Sequence, residues 1–463
     1  MTLFIYDTME RQKVQFTPRS DGEVSMYVCG PTVYDVPHLG HGRTALTYDV
    51  IRRYLEWTGL RVTVASNVTD IDDKIIARAQ REESTEPDVA ARFTSAYDEQ
   101  MDRLGVIPPD SRPHATQFID GMIEIIKELV DVGAAYVVPE KGVYFSVADL
   151  AEYGHLAGRT LDQLLEDAGQ RVDVDEDKKS PLDFALWKSA KPEEPSWDTP
   201  WGLGRPGWHT ECVAMSLSAL GPGFDIHGGG DDLCFPHHQN EWAQVAATGR
   251  EFARHWIHSA MVNVSGEKMS KSLGNFTNLE DAIDNAGARA LRLLALQTHY
   301  RKTMEMGKDS LMAASAAVDR LDSFHRRMSA GGVSLSTGPT DEAALLEFRK
   351  TMEDDFGTPA AVDRAFSLIR QANSALDANN LDASGIAART ALTIFSVLGI
   401  EVDSEGSRKA GGLSDDEITA LIDERRVARQ DKDFEKADQI RDQLSEAGIA
   451  LEDSSDGVTW HRL

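Results

Sequence analysis

Short apolar runs alternate with an amphipathic stretch at the start of the chain. Residues 24–29 form an apolar run, and residues 43–57 carry apolar side chains at helical spacing before Gly59. A second apolar run, residues 62–65, follows at once. This order predicts a strand, a helix and a strand, and therefore a βαβ unit in a parallel sheet with a right-handed crossover.

The sheet pattern is interrupted over residues 121–205 and then resumes. Strand-like runs return at residues 224–227, before three glycines, and at residues 256–264. Two βα halves separated by an insertion predict a split Rossmann-like domain with an inserted subdomain. In and around the insertion we expect a helix over residues 118–132, short strands around Val137 and Val143, and a charged, proline-rich segment over residues 173–206.

Helical periodicity dominates from Leu279 onward, with almost no strand signal. A glycine-rich break at residues 410–412 precedes a last unit of helices and a hairpin over residues 449–451 and 458–461. The predicted fold class is α/β: a split Rossmann-like catalytic domain with an inserted subdomain, followed by an α-helical bundle and a small C-terminal α+β unit. The bundle helices are expected over residues 288–296, 310–327, 342–352, 360–376 and 386–398.

The composition of the chain indicates where in the cell it is found. Of the 463 residues 41% are hydrophobic and 27% charged, and no window approaches the ~18 uninterrupted apolar residues of a membrane-spanning helix. The N-terminus lacks the basic and apolar regions of a secretory signal. The three cysteines are too few for a disulfide framework, so they should be buried thiols, metal ligands or nucleophiles. We therefore expect a cytoplasmic protein without a membrane partner and, since no heptad is sustained, a monomer.

The charge of the chain is strongly negative. Lys and Arg number 48 against 76 Asp and Glu, a formal net charge of -28. This balance is the opposite of the usual footprint of a nucleic-acid binder. Local basic stripes can coexist with an acidic remainder, so the motifs must decide whether RNA is a partner.

Two segments carry residues suited to phosphate chemistry. Residues 37–42, PHLGHG, lie between the first strand and the first helix, where doubly wound sheets bind nucleotides at a helix N-terminus. Residues 265–272, SGEKMSKS, form a small-residue loop with lysines at positions 268 and 271. Taken alone, the first segment is also compatible with an ordinary loop carrying two exposed histidines, and the second with a solvated turn.

Four scattered side chains have the chemistry of zinc ligands: Cys29, Cys212, His237 and Glu241. Each lies beside the end of a predicted strand or on the helix that follows, and such positions converge in a doubly wound domain. His237 and Glu241 are four residues apart and share one helix face. The spacing is not that of a zinc finger, so two buried cysteines and a surface His/Glu pair are the alternative. Three further donors compete with them: His209, Cys234 and His238.

The two loop segments together resemble the His-Ile-Gly-His and Lys-Met-Ser-Lys-Ser signatures of class I aminoacyl-tRNA synthetases, in the expected order and on the expected elements. The resemblance implies that both segments bind ATP while an amino-acid carboxylate attacks its α-phosphate and pyrophosphate leaves. His38 and His41, with Gly40 between them, would stabilise the phosphates of the transition state. Lys268 and Lys271 would neutralise the charge that develops on pyrophosphate.

Four longer strings resemble cysteinyl-tRNA synthetases more closely. They are MYVCGPTVYD at residues 26–35, NVTDIDDK at 67–74, GWHTEC at 207–212 and FPHHQNE at 235–241. The string FEKADQIR at residues 434–441 also resembles the C-terminal unit of that family. The resemblance therefore covers the chain from its N-terminus to the signature lysines and again near its end.

The resemblance to cysteinyl-tRNA synthetases implies one catalytic zinc ion per subunit, held by the four candidate ligands, with the substrate thiolate as an additional ligand. Cys29, Gly30, Thr69 and Trp208 would bind the amino acid. Asp232 follows a predicted strand, where a carboxylate can reach an adenosine ribose as acidic residues do in dinucleotide folds. ATP with Mg²⁺ would be a substrate rather than a resident cofactor.

Selection of cysteine at a metal ion makes physical sense. Cysteine and serine differ by one atom, so a pocket that recognises shape or hydrogen bonds barely separates them. A soft thiolate ligates zinc strongly, whereas a serine hydroxyl, which is far less acidic, does so poorly. Such selection removes the need for an editing domain, and the insertion of about 85 residues is too short for a large hydrolytic domain.

The resemblance implies a cysteine–tRNA ligase that forms cysteinyl-adenylate from L-cysteine and ATP and transfers the cysteine to the 3′ end of tRNA(Cys). A related ligase that transfers cysteine to an amino sugar is the alternative enzyme, and a noncatalytic nucleotide- and zinc-binding sensor is the alternative from another class. The C-terminal units favour the tRNA acceptor. The domains would then be a Rossmann-like catalytic domain at 1–120 and 206–265, a connective subdomain at 121–205, a signature-lysine and stem-contact region at 266–310, a tRNA-binding bundle at 311–405 and an anticodon-end unit at 413–463.

One segment of the anticodon-end unit is expected to form a single helix around residues 425–444. On such a helix four basic residues fall along one stripe and a set of acidic residues along another. The basic stripe either contacts tRNA phosphates or is a solvated face with ion pairs between neighbouring turns. The basic residues are Arg425, Arg429, Lys432 and Lys436, and the residues expected to face the interior are Phe434, Ala437, Ile440 and Leu444.

Overall fold

The computed structural model describes residues 2–169, 177–264, 267–268, 278–402, 415–431, 433–446, 449–454 and 457–462. Within these residues the strands are β1 Phe4–Asp7, β2 Gln12–Gln15, β3 Glu23–Val28, β4 Arg61–Ser66, β5 Ala135–Val138, β6 Gly142–Phe145, β7 Phe184–Ser189, β8 Gly204–Pro206, β9 Ile226–Gly230, β10 His255–Ser259, β11 Val262–Val264, β12 Glu267–Lys268, β13 Met304–Met306, β14 Ile449–Ser454 and β15 Gly457–Arg462.

The helices of the same residues are α1 Leu39–Trp57, α2 Asp73–Glu82, α3 Glu86–Arg103, α4 Ile119–Asp131, α5 Leu161–Gly169, α6 Trp208–Leu220, α7 Asp231–Leu233, α8 Gln239–Ala247, α9 Leu279–Ala286, α10 Ala288–Gln297, α11 Lys308–Ala330, α12 Glu342–Glu353, α13 Thr358–Asp377, α14 Leu381–Val397, α15 Asp415–Gln430 and α16 Phe434–Glu446. Among these described helices we find none with the length and apolar character that a membrane crossing requires.

A four-stranded parallel sheet in the order β10-β9-β3-β4 forms the centre of the N-terminal half. Val24 of β3 pairs with Val62 of β4, and Met26 pairs with Ile226 of β9. Most side chains on the central strands β3 and β9 are buried, as expected for a parallel sheet covered on both faces. The predicted βαβ unit is therefore confirmed, with α1 as the connection between β3 and β4.

The single strand expected over residues 256–264 is wrong, because the chain forms two strands there in two different sheets. β10 ends at Ser259, and β11 begins at Val262. Between them the amide of Ala260 donates to the carbonyl of Tyr300 at 2.8 Å. The backbone thereby leaves the parallel sheet, and β11 pairs with β13 instead. A continuous apolar run does not reveal such a change of partner.

The second large sheet lies between residues 135 and 206 and is antiparallel, in the order β5-β6-β7-β8. The strands expected around Val137 and Val143 are β5 and β6. β7 lies in the segment that the sequence marks only as charged and proline-rich, yet Leu186 and Trp187 within it are fully buried. The division of the chain into domains by the boundaries given above stays a prediction.

The helical region contains the five expected helices, α10 to α14, most of them extended by one to five residues at one or both ends. Arg292 of α10 is 1% exposed and joins this region to the sheet domain. Its guanidinium pairs with Asp49 of α1 and donates to the carbonyls of Leu104 at 3.0 Å and Gly105 at 2.8 Å. A buried arginine of this kind needs such partners for each of its donors.

The single helix expected over residues 425–444 is wrong, since α15 ends at Gln430 and α16 begins at Phe434. The amide of Asp433 donates to the carbonyl of Ala428 at 2.9 Å and closes the first helix. Phe434 was expected in the interior but is 63% exposed, because it starts the new helix. Arg425 was expected to face solvent but is only 9% exposed. One continuous basic stripe is therefore not formed.

The remaining expectations for the C-terminal unit divide into confirmed and untested ones. Ala437, Ile440 and Leu444 are buried as predicted. The hairpin is confirmed by β14 and β15, in which Leu451 pairs with Trp460. Lys432 and the glycine-rich break at residues 410–412 lie outside the described residues.

Candidate active site and metal centre

The two signature histidines lie at the first turn of α1. His38 is the N-cap residue, and its Nδ1 accepts a hydrogen bond from the amide of Gly40 at 3.0 Å. Nδ1 of His41 accepts one from the amide of His38 at 3.2 Å, and the two rings stack with centroids 3.8 Å apart. Because each Nδ1 accepts an N–H, the ring proton of the neutral form lies on Nε2. Both rings can therefore donate from Nε2 to an anion at the helix N-terminus.

A cavity of about 860 Å³ opens in front of these histidines at the carboxyl end of the parallel sheet. This is the edge at which open α/β sheets bind their ligands. Most of the residues proposed from sequence for ATP and cysteine lie on its wall: Cys29, Gly30, His38, Gly40, His41, Trp208 and Asp232. The cavity is large enough for a nucleotide and an amino acid side by side.

The lysine signature is only partly described. The backbone of Lys268 pairs with Asn263 in β11, and Lys271 lies outside the described residues. On the far side of this segment Asn278 pairs with His38, and the amide of Leu279 donates to the carbonyl of Pro37 at 3.0 Å. The chain that leaves the lysine segment therefore runs directly beside the histidine signature.

The four candidate metal ligands converge, with one donor atom from each lying within 4.8 Å of the others. Sγ of Cys29 is 3.7 Å from Sγ of Cys212 and 3.5 Å from Oε1 of Glu241. Nε2 of His237 is 3.0 Å from the same carboxylate oxygen. All four residues are at most 8% exposed. Two thiols, an imidazole and a carboxylate in this arrangement match the donor set and compactness of a zinc site.

Each ligand is positioned by a different element of the fold. Cys29 follows the last residue of β3, and its amide donates to the carbonyl of Gly228 at 2.9 Å. Cys212 is in the first half of α6, and Glu241 is in the first turn of α8. His237 stacks on Trp208 with centroids 4.0 Å apart, and its Nδ1 is 2.9 Å from Nδ1 of His209.

Burial makes the two thiols of this cluster hard to ionise without a cation. Desolvation, together with the neighbouring Cys212 and Glu241, raises the pKa of the Cys29 thiol well above its usual value. Desolvation and the neighbouring His209 and His227 lower the pKa of His237 well below its usual value, which keeps the imidazole neutral and able to ligate. A bound dication supplies the opposite charge that lets the thiols ionise. The residues present therefore fit a zinc ion.

Thr69 does not lie on the cavity wall formed by the described residues, although the sequence placed it in the amino-acid pocket. It is 1% exposed, and its hydroxyl accepts a hydrogen bond from Nδ2 of Asn67 at 3.2 Å. Oδ1 of Asn67 in turn accepts from the amide of Gly30 at 2.8 Å. Thr69 is thus linked to the cavity wall by hydrogen bonds through Asn67 to Gly30. The sequence alone gives no role to Asn67, because its side-chain amide contacts the backbone of Gly30, which follows a different strand.

The competing donors named from sequence have separate locations. Sγ of Cys234 lies 3.7 Å from the carbonyl of Leu156, and Cys234 is not part of the described donor groups. His209 supports His237, as described above. His238 belongs to a second group of donors, together with His227, which sequence reasoning missed. The position of His227 on a strand, between Ile226 and Gly228, gives no signal of its surroundings.

The parallel sheet, the histidine pair at its first crossover and the adjoining lysine segment define a class I tRNA synthetase. Residues 15–316 match the family model for the catalytic domain of class I (C) tRNA synthetases. Residues 347–402 match the DALR domain, and residues 412–460 match the cysteinyl-tRNA ligase anticodon binding domain.

Relatives at the level of the whole chain are more specific. The cysteine–tRNA ligase of Methylococcus capsulatus is 45% identical over 467 residues, which cover 99% of this chain and all of the relative. The corresponding protein of Shewanella denitrificans is 43% identical over 464 residues, with 99% and 100% coverage. The chain therefore belongs to the cysteine–tRNA ligase family and is an enzyme of the ligase class.

Solved structures confirm the fold. Mycobacterium tuberculosis methionyl-tRNA synthetase bound by methionyl-adenylate superposes with a TM-score of 0.61 over 81% of this chain and 92% of that one, at 13% identity. The putative arginyl-tRNA synthetase of Campylobacter jejuni gives a TM-score of 0.55 over 84% and 95%, at 15% identity. The predicted class of fold, a split α/β domain followed by helices, is confirmed.

Proposed function

We propose that this chain joins L-cysteine to tRNA(Cys) in two steps and that the cluster of Cys29, Cys212, His237 and Glu241 holds one zinc ion. In the first step a carboxylate oxygen of cysteine attacks the α-phosphate of ATP, and the bond to pyrophosphate breaks. In the second step a ribose hydroxyl at the 3′ end of the tRNA attacks the carbonyl carbon of cysteinyl-adenylate, and AMP leaves. ATP enters as its Mg²⁺ complex.

Different residues of the cavity have different roles in the first step. Nε2–H groups of His38 and His41 donate to phosphate oxygens, at the point where the amides of α1 also favour negative charge. Lys268 and Lys271 balance the charge on departing pyrophosphate. Asp232 on the cavity wall accepts from the ribose. A bound zinc ion would supply a soft Lewis acid that prefers the thiolate of cysteine to the hydroxyl of serine.

The observation that carries the proposal is the adjacency of the donor cluster and the histidine pair. Cys29, His38 and His41 line one cavity, so a cysteine whose sulfur lies at the metal has its carboxylate within the same space as ATP. A noncatalytic sensor has no need of this arrangement. The anticodon-domain match at residues 412–460 favours tRNA over an amino sugar as acceptor.

The cellular setting is part of the same proposal. Cys29 and Cys212 are free thiols with their sulfurs 3.7 Å apart, a pair that stays reduced in a reducing compartment. We therefore place the enzyme in the cytoplasm, where it acts as a monomer. Cysteine attachment to total tRNA and to a small amine, measured side by side, tests the acceptor.

The test of the zinc assignment is Cys212→Ser. It removes a thiolate while leaving a similar volume, so it should weaken zinc binding and reduce the preference for cysteine over serine in adenylate formation by at least ~10-fold. The measurement is the ratio of kcat/KM for the two amino acids in ATP–pyrophosphate exchange. Cys234→Ser is the matched control and should keep the ratio. An unchanged ratio in folded Cys212→Ser protein would exclude the selective role of the metal.

A further inference from the structure

A second group of four donors adjoins the first and shares two members with it. Its residues are Cys29, His227, His238 and Glu241, whose donor atoms also lie within 4.8 Å of one another. Cys29 and Glu241 are common to both groups, whereas His227 and His238 replace Cys212 and His237. His227 and His238 are 0% exposed, and among the described residues Cys29 is the member of the two groups that lies on the cavity wall.

The distances within the second group suit one metal ion. Nε2 of His227 is 2.9 Å from Oε2 of Glu241, and Nε2 of His238 is 4.0 Å from Oε1. Sγ of Cys29 is 3.5 Å from Oε1. Tetrahedral zinc with bonds of ~2.0–2.3 Å requires donor separations of roughly 3.3–3.8 Å, so shifts of less than about 1 Å complete the site.

His238 supplies the observation that points to a ligand. Its Nε2 is buried and has no hydrogen-bond partner among the described residues. Its Nδ1 lies 2.8 Å from Nε2 of His258, and Nδ1 of His258 lies 2.7 Å from the hydroxyl of Thr8. If each Nδ1 carries the proton, the two rings donate along this chain to Thr8, and the lone pair of His238 Nε2 points at the donor group. Metal-binding histidines are held in this way by their second nitrogen.

We propose that Cys29, His227, His238 and Glu241 form an alternative zinc position that retains the ion when Cys212 does not ligate it. One thiolate, two imidazoles and one carboxylate are an ordinary donor set for zinc. Because the two positions share Cys29 and Glu241, a single ion occupies one or the other. The alternative position rests on the proposed zinc function, but zinc held there is shifted away from Cys212 and His237, and we expect it to select the substrate less well than zinc in the proposed catalytic position. Loss of Cys212 should therefore separate metal retention from cysteine selection.

The test is the metal content of Cys212→Ala, measured after gel filtration, with Co²⁺ as a spectroscopic probe. We expect about one metal ion per chain and a thiolate-to-cobalt charge-transfer band of about half the unmodified intensity, because one thiolate replaces two. Adding His238→Ala should lower the metal content at least ~10-fold. His238→Ala alone should keep the metal and the full band. His227→Gln in the Cys212→Ala background is a second variant in case the first double variant does not fold.

The outcomes that overturn the inference are distinct from those that overturn the proposed function. A folded Cys212→Ala chain without metal, or one that keeps its metal when His238 or His227 is also replaced, would exclude the alternative position. An unmodified chain that binds no zinc would instead contradict the proposed function. Thermal melting of each variant establishes that the chain is folded.

Discussion

Gly30 shows how little space the site leaves at the scale of one residue. A Cβ atom at this position would lie 1.7 Å from the carbonyl oxygen of Asn67, which belongs to the backbone after β4. The amide of Gly30 also donates to the side chain of Asn67. The backbone beside Cys29 is therefore fixed by both a hydrogen bond and close packing, which holds this proposed metal ligand in place.

Gly30→Ala should consequently damage the site more than the fold. Displacement of Cys29 and Gly30 by about 1 Å should lower adenylate formation by ~10²-fold and should also reduce zinc content. The measurement is ATP–pyrophosphate exchange together with metal analysis. Gly121→Ala is the control. Gly121 lies in α4, and a Cβ atom there would contact Ala214 at an ordinary distance of 4.0 Å. The free energy of unfolding should therefore rise by ~0.5–1 kcal/mol, and activity should be unchanged. Equal activity in the two variants would contradict this account.

Residue types made the four donors and the histidine pair candidates, and the resemblance to cysteinyl-tRNA synthetases was needed to choose them over their competitors. Neither was enough to find Asn67 and His227. The role of Asn67 depends on its distance from Gly30, 37 residues away. The role of His227 depends on Glu241 turning its second oxygen toward β9. Such roles arise from tertiary packing and have no local signature.

At the scale of elements, the start of α1 is the feature that local sequence determines best. The capping pattern of His38 and His41 is made within four residues, so the motif marks it, whereas the apolar periodicity begins only at residue 43, four residues after the observed start at Leu39. The strands β10 and β11 and the helices α15 and α16 were each expected as one element. In both cases the break depends on hydrogen bonds to backbone elsewhere or on a turn of a few residues, which apolar periodicity does not record.

The break between α15 and α16 changes the prediction for tRNA binding. Arg429 and Lys436 are exposed, whereas Arg425 is buried. Replacing Arg429 and Lys436 by Gln should flatten the salt dependence of tRNA binding, with the log–log slope falling by ~0.7 per lost phosphate contact. Arg425→Gln should lower the melting temperature and leave the slope unchanged. Cysteine activation without tRNA should be the same in all variants.

The measurement is the affinity for tRNA at several salt concentrations. A slope that stays constant when Arg429 and Lys436 are replaced would mean that RNA is held by another surface. The chain as a whole repels a polyanion, since its net charge is -28. Any contacts with tRNA phosphates therefore have to be made by local groups of basic residues.

At the scale of the whole molecule, the metal cluster sits where separate parts of the chain meet. Its residues are Cys29 directly after β3, Cys212 in α6 after the antiparallel sheet, His237 just before α8 and Glu241 in the first turn of α8. Arg292 and Asp49 join the helical region to α1, which carries the histidine pair. The donor cluster, the histidine pair and the helical region are thus connected through one helix and one sheet.

The most direct test of the central claim is the number of sulfur ligands on zinc, measured by X-ray absorption with and without the amino acid. The account predicts two sulfurs, from Cys29 and Cys212, in the enzyme alone and three after addition of cysteine. Serine should leave the number at two. If the number stayed at two with saturating cysteine, the metal would not select the substrate through its thiolate, and the account would be contradicted.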